Sequence, residues 1–232
     1  MRTSTGKTLR IIAIIFMGLT AAMNIVSGVG TSCAAFLTKQ YPPFWDILVA
    51  ELQWLWQSFV FVTLLVGLAG IWSVVQLVRG KSNAYRNAMI LLILGTIVNG
   101  IHVYYSQTIL GSVIPIAITL LTNVITLVLF IIFGTPGLRD QIMFDGEGDP
   151  ISGATASGLT AILVGMILLS TSSWAGPSHT FADGVNLVHV LRIPLLAGGS
   201  ILTMGGLATL LWTALDITFP REIRRSAEDK KQ

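Results

Sequence analysis

Charge is what this 232-residue chain has least of. Lys, Arg, Asp and Glu make up only 11% of it, where a soluble domain carries about 25%. Hydrophobic residues supply 53%, and the mean hydropathy is +0.77. The charges fall in short stretches between long apolar runs, which is the pattern of a chain that crosses a bilayer repeatedly and not of a soluble globule. Cysteine is almost missing: Cys33 stands alone, so no intrachain disulfide can form. A lone cysteine at the end of an apolar run reads as a small packing residue. The stretch VGTSC has the outline of a lipoprotein cleavage site. Gly30 stands where leucine belongs, so the first run reads as a retained span and not a removed signal.

Other absences narrow the function. The chain has no Walker motif, no HExxH, no GxSxG and no cysteine pair. No lysine lies within an apolar run, so a Schiff-base chromophore has no attachment point. No carboxylate sits at the centre of a run; Asp216 lies at the end of the last one. Ion-coupled carriers usually need such central carboxylates. The sequence therefore leans away from an enzyme and from coupled transport. The net charge of +3 does not point to nucleic acid, because the basic residues gather at the ends of apolar runs.

What is present is six runs long enough to cross a bilayer, each needing about 20 residues as a helix. They cover residues 9–31, 52–78, 86–107, 109–134, 155–175 and 186–215. The expected fold is an all-α bundle of six transmembrane helices. It divides into a four-helix part over 1–134, a cytoplasmic loop over 135–154, two further helices over 155–216 and a basic tail over 217–232. With the N-terminus inside, 12 of the 14 basic residues fall on the inner side, leaving Lys39 and Arg192 outside. That bias puts both termini in the cytoplasm and the protein in the plasma or inner membrane. Trp45, Trp54, Trp56, Tyr104, Tyr105 and Trp174 cluster at the outer ends, as an interfacial belt would.

The loops carry weaker signals. Pro42 and Pro43 suit a helix start, with Asp46 near its positive end. Whether 43–52 is a surface helix or the beginning of the second span stays open. Asp145, Glu147 and Asp149 alternate with glycines but lack the twelve-residue calcium pattern and its closing glutamate, so 135–154 reads as a solvated loop. The tail REIRRSAEDKKQ suits anionic lipid headgroups. No internal repeat marks an inverted-topology transporter.

The polar residues inside the runs follow helical spacing. Thr20, Asn24, Ser27 and Thr31 recur at steps of four, three and four, as do Gly95, Asn99, His102 and Ser106. Ser112, Thr119, Asn123 and Thr126 share one side of the fourth run, and His189, Arg192, Gly199, Thr203 and Gly206 lie near one face of the sixth. Two accounts fit these stripes. Small and hydroxyl or amide side chains let helices approach and hydrogen-bond. Alternatively Asn24, Asn99 and Asn123 line a polar ligand cavity.

His102 and His189 sharpen the choice. Each lies about one turn from the outer end of its run, so the two imidazoles could face one another and hold a haem b iron or flank a quinone. Arg192 is costly in hydrocarbon; it must reach water or a carboxylate, and Glu51 is the best-placed partner. Glu51, His102, His189 and Arg192 thus form the first-choice site. The leading functional expectation is a non-catalytic multi-pass membrane protein that packs with other membrane subunits or with itself. The alternatives are a redox-associated protein binding haem or quinone through His102 and His189, and a carrier or channel for a small solute.

Overall fold

The computed structural model describes residues 4–40, 48–111, 113, 116–146 and 148–218. The described residues are almost entirely helical, with one isolated bridge between Thr180 and Asn186. Eight α-helices follow in order: α1 Ser4–Phe36, α2 Gln53–Arg79, α3 Ala84–Tyr105, α4 Ile116–Phe133, α5 Pro136–Ile142, α6 Pro150–Trp174, α7 Leu187–Val190 and α8 Arg192–Thr218. Six of them are long and apolar enough to cross a membrane. The region of Pro42, Pro43, Trp45 and Asp46, together with Ser112, Glu147 and the basic tail, lies outside the described residues.

Three boundaries differ from the sequence reading, each for a local reason. The third helix runs on through a π-helical turn, Ser106–Leu110, and stops where Gly111 adopts φ 64°, so the fourth begins at Ile116 and not near 109. The 135–154 segment is not a plain loop. Pro136 opens α5 in its first turn, and Asp149 caps α6 by accepting the Ile151 N–H. The expected sixth run is broken: Asn186 accepts from Val188 N–H and His189 N–H to start α7, which turns at Leu191 before α8 begins at Arg192.

Helix α1 is the hub, packed against α2, α4, α5 and α6, while α3 closes the bundle against α2 and α4. The α1–α2 pair is antiparallel and close. A Cβ on Gly67 would lie 3.0 Å from the Ala21 carbonyl, and one on Gly28 would lie 2.7 Å from Leu64. Helix α6 joins α1 where Gly18 meets Thr160, and α8 packs on α6. The α6–α8 contact is built on glycines seven residues apart: Gly158 faces the Gly206 carbonyl, and Gly165 faces that of Gly199. Small residues let helices meet backbone to backbone where lipid supplies no hydrophobic drive between them.

The end of the bundle carrying Lys7, Arg79, Lys81, Arg86 and Arg139 is termed the basic end. Its core is an apolar cluster including Ile14, Met17, Leu77, Leu92, Phe130, Ile142 and Phe144. Buried beside it, Arg10 is 2% exposed and donates to the carbonyls of Leu77 (2.6 Å) and Met143 (2.7 Å). Those carbonyls end α2 and α5, where the helix dipole is negative and carbonyls lack the usual i+4 partner; each also accepts from the N–H three residues on, of Gly80 and Gly146. Arg10 therefore ties α2 and α5 to α1. Sequence alone assigned it only to the basic residues of the inner side.

Candidate functional site

Three of the expected stripes converge. Asn24 on α1, Asn99 on α3 and Asn123 on α4 are each 0–1% exposed. The Asn99 amide donates to Asn24 Oδ1 (2.9 Å) and to the Gly95 carbonyl (2.8 Å); Asn24 donates to the Thr20 carbonyl (2.8 Å). Asn123 donates to the Thr119 carbonyl (2.8 Å), and its Oδ1 lies against Gly95. One turn toward the basic end, the Thr20 and Thr126 hydroxyls are bonded at 2.7 Å. Gly95 is what lets this happen, since a Cβ there would collide with the Asn123 side chain.

Toward the far end the seam continues through Ser27, Thr63, His102 and Ser106, all buried. Ser27 Oγ, Thr63 Oγ1, His102 Nδ1, Asn99 Oδ1 and Asn123 Oδ1 make no hydrogen bond to the described protein atoms. The His102 ring stacks on Phe59 (4.3 Å between centroids, 12° between planes) and meets the edge of Trp56 at 5.1 Å. Those aromatics belong to a second apolar cluster with Ala35 and Val60, which closes the far end of the seam. The seam is thus a column of uncharged hydrogen-bonding groups between two apolar caps. It holds α1, α3 and α4 in register.

The other expected site residues lie elsewhere. The sixth-run stripe does not join the seam: Gly199, Thr203 and Gly206 face α6. His189 is exposed on α7, which packs against α6, α8 and the 3-10 turn Gly176–His179, whereas His102 on α3 lies between α2 and α4. Similar depth did not bring the two histidines to one place, and the structure forms no paired-imidazole site from them. Arg192 is exposed at the first residue of α8, and Glu51 is exposed in the π-helical turn Leu48–Leu52. These two form no ion pair. Ion pairs join Lys7 to Asp149 and Arg139 to Asp145, both at 3.4 Å. The described residues also hold no group of three or more His, Cys, Asp or Glu able to bind a metal ion.

Two features escaped the sequence reading. At the far end, an apolar cavity of about 280 Å³ opens between α1, α6, α7 and the start of α8. His179 lines it, 8% exposed, with Nδ1 bonded to the Ala175 carbonyl at 2.8 Å. Cys33 lines it too, buried as a packing residue should be. The stretch GPSH, a proline-opened 3-10 turn after a long helix, was the available signal for His179. At the basic end, Asp149 caps α6, accepts from Ser152 Oγ (2.8 Å) and pairs with Lys7. Partial burial opposes its ionisation. The Ser152 and Lys7 contacts, the Lys7 charge and the Ile151 N–H outweigh that, so its carboxyl lies below the usual range.

Compared with known families, curated proteins and solved structures, the chain matches none. Its function is therefore read from its own geometry.

Proposed function

We propose that the chain is a non-catalytic multi-pass protein of the plasma or inner membrane, with both termini cytoplasmic, that serves as an accessory or scaffold subunit or associates with itself. The orientation is supported by the 12 basic residues on one side. The association rests on one observation, the free face of α8. This helix stands at the edge of the bundle and is the least buried of the six candidate spans. Its α6-facing side carries Gly199, Thr203, Gly206 and Thr213; the opposite side carries Ala197, Ile201, Met204, Ala208 and Leu211, all exposed. Those five recur at steps of four, three, four and three, the spacing of a helix-packing seam with small residues set among large ones. Among the described residues, apolar clusters lie at both ends of the α1–α4 seam, which weighs against the carrier reading.

Oxidative cross-linking in native membranes tests the association. In a Cys33→Ser background, Ala208→Cys should form a disulfide-linked dimer or a cross-link to a co-purifying membrane subunit. Ile131→Cys, exposed on α4, should not. Equal, low cross-linking at both positions would remove the proposal.

A further inference from the structure

The far-end cavity has a chemistry that the association reading does not use. Its wall is almost wholly carbon, from Val26 and Val29 of α1, Leu168 of α6, Val188 and Leu191 at α7, and Leu195 of α8. At about 280 Å³ it sits just below the 300–1,000 Å³ typical of small-molecule pockets. The residues beside this wall are of the opposite kind. His189 follows Val188, Arg192 follows Leu191, and both are exposed. Arg192 also opens a 27-residue helix, so the positive end of the α8 dipole lies at the same rim.

Arg192 comes one turn after the lining Val188 and one residue after the lining Leu191, and an apolar slot with a cation and a helix N-terminus so placed is complementary to an amphiphile with a hydrocarbon chain and an acidic head. We propose that this cavity is a binding site for one acyl chain of an anionic phospholipid of the surrounding bilayer, its phosphate held by Arg192 and the start of α8. This accounts for an arginine within a run that otherwise reads as hydrocarbon-soluble. The exposed cation does not have to face hydrocarbon: it meets a phosphate at the interface. His189, on the same rim, adds a second donor to the headgroup.

Native mass spectrometry of the intact protein tests this, using phosphatidylglycerol and phosphatidylethanolamine of identical chains as probes. A single arginine beside a bilayer surface corresponds to a preference of about fivefold for anionic lipid. The wild-type chain should retain one phosphatidylglycerol with at least that preference. Arg192→Gln should abolish the preference while an adduct persists, and Val188→Trp, which fills the slot, should remove the adduct itself. Equal retention of both lipids by the wild type, or an unchanged preference in Arg192→Gln, would overturn the proposal, as would preferential retention of an isoprenoid quinone. A photoactivatable phosphatidylglycerol on the unmutated protein covers the case of a variant that fails to fold. Its cross-links should map to α7 and the first turns of α8, and a map concentrated on α2–α4 would equally contradict the site.

Discussion

The α1–α4 bundle and the α6–α8 hairpin solve the same problem in different ways. Lipid gives apolar helices no hydrophobic reason to prefer each other, so each contact needs another source of cohesion. In the bundle's inner seam that source is polar: the Asn24 and Asn99 amides bond between α1 and α3, the Thr20 and Thr126 hydroxyls bond between α1 and α4, and Arg10 holds helix-end carbonyls. In the hairpin it is close approach, with glycines bringing α6 and α8 nearly backbone to backbone. Away from the close approaches at Gly28, Gly67 and Gly95, the bundle's seam should therefore be more sensitive to changes in polarity than in size, and the hairpin the reverse.

The largest expected effect is on the hairpin. Gly206→Leu places a side chain where a Cβ alone would lie 2.5 Å from the Gly158 carbonyl. Overpacking of this kind costs about 1–3 kcal/mol, and here it should reach the upper end or prevent α8 from docking. Limited proteolysis of the α6–α8 connection would report it as faster cleavage, while Gly206→Ala should be milder.

Next comes Arg10→Met, which keeps much of the side chain's length but removes the guanidinium, leaving the Leu77 and Met143 carbonyls to the Gly80 and Gly146 N–H groups. A hydrogen bond from a charged group is worth about 1.5–3 kcal/mol, so thermal unfolding in detergent should begin at the basic end and at lower temperature. Cleavage after α5 is the local readout.

Asp149→Ala removes a helix cap as well as the Lys7 partner. A lost cap costs about 1 kcal/mol. The carboxyl's folded pKa lies below its unfolded one, so its contribution is complete above the unfolded value and fades as the pH falls through the folded one. The wild type should lose stability in acid below about pH 4, where carboxylates ordinarily protonate. Thermal melts of Asp149→Ala across this range should show a flatter decline.

The smallest effect is the most informative about the bundle. A double-mutant cycle of Asn24→Ala and Asn99→Ala should give a coupling of about 0.6 kcal/mol, the average for bonds between membrane helices, and not more than about 1.7. A coupling near zero would mean that the bundle is held by shape alone, like the hairpin, and the contrast between the two regions would disappear.

Much of this contrast was legible in the residues. Hydropathy marked the six long helices, and the steps of three and four put Asn24, Asn99 and Asn123 on inward faces, where they are found. The glycines at 199 and 206 were likewise placed on one face. Spacing tells which face a residue occupies, but not which helix it meets. That is why similar depth, which allowed His102 and His189 to face one another, did not settle their neighbours: α7 and α8 pack on α6, and α3 packs on α2 and α4. Arg10 and His179 were hidden for a related reason. Their roles depend on the ends of other helices and on a short turn, and neither leaves a periodic trace.

The free side of α8 is either a surface for another subunit or a face turned to lipid. Native mass spectrometry of the protein extracted gently from its own membranes decides this directly. The predicted result is a species heavier than the monomer by a second copy or a defined partner, reverting to monomer when Ala208→Trp disrupts the α8 face. A single monomeric species for the unmutated chain, over the full range of mild detergents and nanodiscs, would contradict it.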